Sequence, residues 1–230
     1  MILDDSSTIL ITGANRGIGL EFVRQYASIG CNIIACCRKT APLDALRSVD
    51  VAVEIESLDV TDSMSITLLG DRLSERSIDL VINNAAVRGR IGGLADIDTD
   101  DFLATMQVNV LAPLLLTRAL LPAITLGRGR TVAMISSRAG SITEGHDEDG
   151  DYAYRCSKAA LNMATAKLAY EFRALNFISL HPGWVKTDMG GPDAEISASE
   201  SVAGMRRVLA TLTPADSGAF LAYDGSTIAW

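Results

Sequence analysis

The sequence is poor in aromatic residues and has no surplus of positive charge. Aromatic residues make up 5% of its 230 residues, against a hydrophobic share of 48%. A core of aliphatic and small side chains is therefore expected, as in a parallel sheet covered by closely packed helices. The formal net charge is -8 at pH 7. Nucleic acid and a stable membrane association are not expected as partners, because both would require clustered Lys and Arg.

No targeting signal and no cysteine-based site is expected from the sequence. The first residues lack the positively charged segment of a signal peptide. No apolar run approaches the roughly 20 residues of a membrane helix, so a cytoplasmic protein is predicted. The cysteines show neither the C-x-x-C pairs of a zinc site nor the density of a disulfide framework, which predicts buried reduced thiols and no metal. These cysteines are Cys31, Cys36, Cys37 and Cys156.

Short β-type runs alternate with helical patterns along the chain, which indicates repeated βαβ units. The predicted fold class is α/β, a Rossmann-type doubly wound parallel sheet of about seven strands with helices on both faces, in a single domain over residues 1–230. Strands are expected at residues 8–11, 32–36, 51–55, 80–82, 131–135, 177–180 and 219–222. Helices are expected at residues 17–29, 62–75, 100–121, 152–174 and 198–210.

Two segments interrupt this alternation and are predicted to be loops. One is the acidic stretch 143–151, and the other is the Gly- and Pro-containing stretch 183–197. Each follows a strand, so both are expected at the carboxyl edge of the sheet, where ligands of such folds bind. Trp184, Met189 and Met205 are candidates for an apolar lining, which favours a small or medium apolar carbonyl as substrate.

A glycine-rich loop lies between the first predicted strand and helix. Glycines at 13, 17 and 19 follow Thr12. Such glycines let the backbone turn tightly and approach a pyrophosphate, while the next helix offers free N–H groups. The alternative is an ordinary turn; the strand–loop–helix context favours a dinucleotide site.

Cations follow the second predicted strand, where the adenosine ribose of a dinucleotide would lie. Arg38 and Lys39 stand there without an acidic residue, and Arg16 lies in the glycine loop. An Asp or Glu at this place is typical of NAD enzymes, whereas a 2′-phosphate requires a cation. The sequence therefore favours NADP(H) over NAD(H). The alternative is ordinary surface charge.

Tyr154 and Lys158 open an Ala-rich helical stretch and share a helix face at i and i+4. A phenol with an ordinary pKa of about 10 is a poor proton donor or acceptor at neutral pH, and a nearby cation would lower that pKa. The spacing alone is common in helices. Ser136 and Ser137 end the preceding predicted strand and could present a hydroxyl to the same place.

Asn109 lies four residues before Pro113 in a predicted helix. Proline cannot donate the backbone hydrogen bond that the carbonyl of residue 109 would accept, so that carbonyl is open to water or another group. The plainer interpretation is a helix kink with a satisfied polar side chain. Both can hold together.

With these motifs in order, the sequence resembles the short-chain dehydrogenase/reductase family over essentially its whole length. The matching features are the T-G-x-x-x-G-x-G loop, Asp59-Val60, Asn83-Asn84-Ala85-Ala86, Asn109, Ser137, the Tyr154/Lys158 pair, and Pro182-Gly183 with Thr187. Residues 154–162, 181–189 and 223–225 are similar to the branch that contains the sniffer-type carbonyl reductases and the bacterial C-factor proteins. The resemblance implies an NADP(H)-dependent oxidoreductase for a carbonyl or alcohol, working as a homodimer or homotetramer.

The resemblance also implies roles for individual residues. Tyr154 would donate the proton to the carbonyl oxygen, and Ser137, with Ser136 as the alternative, would bind that oxygen. Lys158 would hold the nicotinamide ribose and lower the pKa of Tyr154. Asn109 would support a chain of water molecules for proton transfer. The implied cofactor-binding residues are Gly13, Asn15, Arg16, Gly17, Ile18, Gly19, Arg38, Asp59, Val60, Asn84, Ala85, Ala86, Tyr154, Lys158, Pro182, Gly183, Val185 and Thr187.

Two features depart from the family pattern. Ala86 stands where Gly is usual, which should slightly crowd the cofactor. The insertion-like segment 144–151 has alternating Asp residues as in a calcium loop, but Lys158 takes the place of the bidentate Glu. A solvated acidic loop that disfavours anionic substrates is predicted instead.

The same residues leave two rival functions open. A dinucleotide-binding sensor or intercellular-signalling protein would keep the fold without catalysis, yet Tyr154 and Lys158 are both present. A serine hydrolase is less favoured, because neither serine lies in a G-x-S-x-G elbow and neither histidine has an evident triad role.

Overall fold

The computed structural model describes residues 3–49, 53–145 and 150–230. In these residues all seven strands form one parallel sheet with the order β3-β2-β1-β4-β5-β6-β7. The strands are β1 (Thr8–Thr12), β2 (Asn32–Cys37), β3 (Val53–Ser57), β4 (Leu80–Asn83), β5 (Thr131–Ile135), β6 (Asn176–His181) and β7 (Phe220–Ala222). The predicted fold class is confirmed. Val51 and Ala52, the predicted start of β3, lie outside the described residues.

Helices connect successive strands, as parallel pairing requires. They are α1 (Gly17–Ala27), α2 (Asp44–Arg47), α3 (Ser63–Leu73), α4 (Thr99–Met106), α5 (Ala112–Leu126), α6 (Tyr152–Glu171) and α7 (Ala198–Thr211). The short α2 was missed by the sequence analysis, because four residues are too few to show helical periodicity.

Successive residues of each strand face opposite sides of the sheet and supply two cores. In β1, Ile9 and Ile11 pack towards α1 and α7, whereas Leu10 packs towards α3 and α5. This alternation is the two-residue period of a strand that is covered on both faces. Met205 of α7 is fully buried in the first core, so the prediction that it lines a substrate cleft was wrong.

The predicted helix 100–121 is two helices joined by a π-helical turn. The turn spans Gln107–Leu111, and the N–H of Ala112 donates to the carbonyl of Gln107, five residues back. Asn109 lies in this turn and is buried. Such turns are frequent at functional sites, and Pro113 explains why the regular ladder is interrupted here.

The whole stretch Thr99–Leu126 is long and apolar enough to cross a membrane by length and composition, with a mean hydropathy of 1.6 over its most apolar window. The statement that no apolar run approaches this length was therefore wrong. Leu116, Leu120 and Ile124 are buried in the second core, as in the core helix of a soluble protein.

The cysteine prediction holds for three of the four side chains. Cys31, Cys36 and Cys37 are buried, but Cys156 is exposed. Position 156 shares a face of α6 with the exposed Tyr152 and Met163, so the prediction of a buried thiol was wrong there.

Candidate functional site

The loops that follow β1, β4, β5 and β6 meet at the carboxyl edge of the sheet. The crossover direction reverses between β1 and β4, which are hydrogen-bonded neighbours. Ligands of doubly wound sheets bind in the crevice that opens at such a reversal. The sequence motifs after these strands therefore converge on one place.

The glycine loop leaves little room for a side chain at Gly13 and none at Gly19. Gly13 and Gly17 have φ values of 63° and 54°, which favour glycine. A Cβ on Gly19 would fall on the carbonyl oxygen of Gly13 and lie 2.6 Å from Asn84 Nδ2. The loop therefore presents bare backbone at the crevice.

Helix α1 begins directly behind this loop and keeps its first N–H groups uncapped by side chains. Asp62, Asp98 and Ser197 cap α3, α4 and α7 with side-chain hydrogen bonds, whereas Arg16, within the described residues, makes no such bond at α1. Free N–H groups and the positive end of the helix dipole suit a phosphate.

The loop after β4 is tied to the glycine loop through Asn84 and Thr12. Asn84 Nδ2 donates to the Thr12 carbonyl at 2.9 Å and to the Gly13 carbonyl at 3.3 Å. The Thr12 hydroxyl accepts the backbone N–H groups of Asn84 and Ala85, each at 3.0 Å. The Asn84 side chain thus positions the loop from behind.

The two predicted cation positions have different surroundings. Arg38 is exposed at the end of β2, and its charge helps to lower the pKa of Asp59, after the larger effect of hydrogen bonds from Thr61. Arg16 instead forms an exposed ion pair with Asp188 in the loop after β6, at 2.7 Å. Arg38 is therefore the better placed of the two for a ribose phosphate.

The loop after β6 reaches back over the start of α1. The methyl group of Thr187 would lie 3.4 Å from a Cβ on Gly17, and its hydroxyl accepts the backbone N–H of Gly190 at 3.1 Å. Gly183, with φ of 84°, turns the chain into this loop. Trp184 and Met189 are half-exposed in it, so their predicted role in lining a substrate site stays a prediction.

Tyr154 lies half-buried on the first turn of α6, with Ser137 and Lys158 beside it. Lys158 Nζ is 5.5 Å from the centre of the Tyr154 ring and donates to the Ile135 carbonyl at 2.8 Å. Burial raises the pKa of Tyr154, while a hydrogen bond with Ser137 and the charge of Arg88 lower it. Burial also lowers the pKa of Lys158 to about 8.

Burial has the largest effect on the pKa of the Tyr154 phenol and raises it, and the positive charge that lowers it is that of Arg88. The expected effect of Lys158 on this pKa stays a prediction. Sequence reasoning missed Arg88 because it lies 66 positions before Tyr154 in the sequence, in the loop after β4. No local pattern points to it.

The two serines that end β5 differ in their contacts. Ser136 is buried and donates to Asn162 Oδ1 at 2.6 Å. Ser137 is partly exposed, its Oγ accepts the backbone N–H of Ala139 at 3.2 Å, and it lowers the pKa of Tyr154 through a hydrogen bond. The geometry therefore favours Ser137 over Ser136 as the group that faces a ligand.

The side chain of Asn109 is fully occupied by the protein. Its amide donates to the Val87 carbonyl at 2.8 Å and to Ser157 Oγ at 2.9 Å, and its Oδ1 accepts the Val87 N–H at 2.9 Å. It joins the π-helical turn to the loop after β4 and to α6. Any water chain at Asn109 would have to use its backbone carbonyl.

His181 ends β6 next to the serine loop. Its Nδ1 accepts the backbone N–H of Arg138 at 3.2 Å, and burial together with the Arg138 charge lowers its pKa to about 4. A neutral His181 therefore orients the loop that carries Ser137.

The acidic segment was expected to be a solvated loop. His146 to Asp149 lie outside the described residues. Asp151 contradicts the expectation, because its side chain is 3% exposed and paired with Arg88 and Arg155. In the described part of the chain no group of three His, Cys, Asp or Glu side chains could hold a metal, and the absence of a metal site stays a prediction.

The sequence and the fold are similar to those of known proteins. Residues 7–196 match the short chain dehydrogenase family. The structure is similar to the NADPH-bound carbonyl reductase from chicken fatty liver, with a TM-score of 0.91 and 37% identity over 99% of this chain and 100% of the other. The carbonyl reductase Sniffer of D. melanogaster gives a TM-score of 0.89 and 30% identity over 97% and 99%.

A sequence relative lies in the bacterial branch. The protein named C-signal from Myxococcus xanthus is 47% identical over 155 residues, which cover 66% of this chain and 93% of that protein. These similarities confirm the resemblance stated from the motifs. With the glycine loop, the parallel sheet and the matched span, the chain belongs to the short chain dehydrogenase family.

Proposed function

We propose that this protein is an NADP(H)-dependent oxidoreductase that transfers a hydride between the nicotinamide and a carbonyl or alcohol substrate. The observation that carries the proposal is the grouping of Tyr154, Ser137 and Lys158 at the same sheet edge as a bare, uncapped glycine loop. One part of the site suits a dinucleotide, and the other suits proton transfer to an oxygen.

The residues present fit a dinucleotide. The loop from Gly13 to Gly19 would hold the pyrophosphate on the N-terminus of α1, and Arg38 would bind the ribose 2′-phosphate. Two solved relatives support the choice of NADP(H): the chicken liver reductase is described with NADPH bound, and a short chain dehydrogenase of Burkholderia cenocepacia with NADP. The remaining expected contacts are those of Asn15, Ile18, Asp59, Val60, Ala85, Ala86, Pro182, Val185 and Thr187.

When bound, the reduced nicotinamide supplies the hydride. Tyr154 would donate the proton to the carbonyl oxygen, and its raised pKa keeps the phenol protonated at neutral pH, as reduction requires. Ser137 would donate a second hydrogen bond to that oxygen. Lys158, charged below its pKa of about 8, would hold the nicotinamide ribose and provide positive charge for the phenolate that forms.

The first test is a fluorescence titration with NADPH and with NADH, followed by a panel of aldehydes, ketones and quinones. Tyr154→Phe should lower kcat by about 1,000-fold and leave NADPH binding intact. Tyr152→Phe is the matched control, because Tyr152 is exposed on the same helix. Turnover that survives Tyr154→Phe would contradict the proposal.

The similarity to the protein named C-signal supports a second candidate function, that of a dinucleotide-binding sensor or signalling protein. It predicts tight NADPH binding without turnover of any carbonyl. A biological activity that survives Tyr154→Phe would favour it over the reductase. A homo-oligomeric state and a cytoplasmic location stay predictions.

A further inference from the structure

Asp151, the residue before α6, binds two arginines from different parts of the chain. Its Oδ2 accepts Nε of Arg88 at 3.2 Å and Nη2 at 3.1 Å, and its Oδ1 accepts Nε of Arg155 at 2.6 Å. Arg88 comes from the loop after β4, and Arg155 lies one helical turn further on. Arg155 also donates to the carbonyl of Gly145. The Asp151 carboxylate therefore joins the loop after β4 to α6, and Arg155 extends the network to Gly145.

The side chain of Asp151 has different partners from those of the other aspartates that precede helices. Asp62 and Asp98 cap their helices by accepting the backbone N–H groups of Met64 and Asp101. Asp151 makes no side-chain cap bond to the described first turn of α6. Its side chain is 3% exposed, and a carboxylate buried to this extent requires paired charge. It binds arginines instead of capping a helix.

The backbone strengthens the same junction. Gly92, in the loop after β4, forms a parallel bridge with Asp151, and its N–H donates to the Gly150 carbonyl at 2.8 Å. A Cβ on Gly150 would fall on the backbone of Gly92. The loop after β4 and the first turn of α6 are therefore in close contact, and Tyr154 lies on that turn.

We propose that Asp151 is a positioning residue for Tyr154, acting through Arg88 and Arg155. The network fixes the first turn of α6 against the loop after β4 and holds the Arg88 guanidinium near the phenol. This inference rests on the proposed function. It assigns the loop after β4 a part in proton transfer as well as in the packing of the site.

The charged and hydrogen-bonding groups that face Tyr154 come from the loop after β4, from the end of β5, and from α6 with the residue before it. Arg88 in the β4 loop lowers the pKa of the phenol, Asp151, just before α6, raises it, and Ser137 after β5 lowers it through a hydrogen bond. Lys158 lies under the ring on α6. Removing Arg88 while leaving Asp151 in place should therefore raise the pKa and weaken Tyr154 as an acid.

The experiment compares Arg88→Gln, Arg88→Lys and Asp151→Asn, with kcat and KM for one aldehyde measured at neutral pH and the titration of the Tyr154 phenol followed to above pH 10. Arg88→Gln should lower kcat by about 10-fold and move the titration of the phenol up by about one pH unit, with the NADPH dissociation constant unchanged. Arg88→Lys should restore the position of that titration. Arg90→Gln is the control, since Arg90 forms an exposed pair in the same loop.

Asp151→Asn should lower kcat by a larger factor than it changes KM, because both arginines lose the carboxylate that holds them. If this variant does not fold, the two Arg88 variants still decide the question. Arg88→Gln with the wild-type kcat and the wild-type titration of the Tyr154 phenol would overturn the proposal, even if its melting temperature fell, because that pattern is the one expected of a purely structural role.

A readout without turnover separates this inference from the proposed function. Fluorotyrosine labelling, with the Tyr154 resonance assigned through Tyr154→Phe, follows ionisation of the phenol by ¹⁹F NMR. An inactive wild type would refute the reductase. An unchanged Tyr154 titration in Arg88→Gln would refute the positioning role, and a titration displaced to higher pH would support it.

Discussion

The nucleotide end and the Tyr154 end of the site are built in opposite ways. The glycine loop is one contiguous stretch, and its shape depends on the room left by missing side chains. The Tyr154 end is assembled from side chains of the β4 loop, the π-helical turn, the end of β5 and α6. The first should therefore be sensitive to added atoms, and the second to lost charges and hydrogen bonds.

The largest expected effect lies at the Tyr154 end. Lys158→Met should lower kcat by about 100-fold. It should not lower stability at neutral pH, because burial already disfavours the charged lysine in the fold. Lys167→Met is the control, on an exposed position of the same helix. Loss of activity in both variants would contradict a specific role of Lys158 at the Tyr154 end.

The lowered pKa of Lys158 also predicts a pH dependence of stability. Between its folded pKa of about 8 and its ordinary value, the unfolded chain binds the proton that the folded chain has released, so the free energy of unfolding rises with pH. Urea unfolding at pH 7 and pH 9.5 measures this rise. It should disappear in Lys158→Met, and a rise that persists there would assign it to another group.

The next effect is at the nucleotide end. Gly19→Ala places a Cβ against the Gly13 carbonyl and Asn84, which should weaken NADPH binding by about 30-fold, or about 2 kcal/mol of strain. Gly93→Ala is the control, because its nearest neighbour would be a side-chain oxygen at 3.8 Å. Fluorescence titration checks both variants. Equal affinities would show that the loop has room to adjust.

A smaller effect is expected at the ribose end. Arg38→Gln should reduce the preference for NADPH over NADH by about 10-fold, the value of one charge-assisted contact. The exposed Arg47 on α2 gives the control Arg47→Gln. An unchanged preference in Arg38→Gln would mean that Arg16 or Lys39 binds the phosphate.

The smallest effect concerns a helix cap outside both ends of the site. Asp62→Ala removes the bond to the Met64 N–H at 3.0 Å and should lower the free energy of unfolding by about 1 kcal/mol. NADPH affinity and kcat should not change. A change in NADPH affinity or in kcat would show that α3 contributes to the site.

Much of the fold was predictable because it is local. The strands alternate between two cores, and turns follow each strand, so all seven strand positions could be read within a few residues. The helical break at Asn109 followed from Pro113. The sequence did not predict the extent of the apolar helix, the exposure of Cys156 or the burial of Met205. These features depend on which helix face meets the sheet.

The family, the parallel α/β architecture and the positions of the glycine loop and of Tyr154 and Lys158 could all be inferred from the amino-acid sequence. These are backbone and spacing properties that act over a few residues. The packing of the fold was needed to show that Ser137 acts on Tyr154, that Val87 and Ser157 bind the Asn109 side chain, and that the charges of Arg88 and Asp151 act on the phenol. Those contacts join residues far apart in the chain, and only the packing of α6 against the β4 loop brings them together.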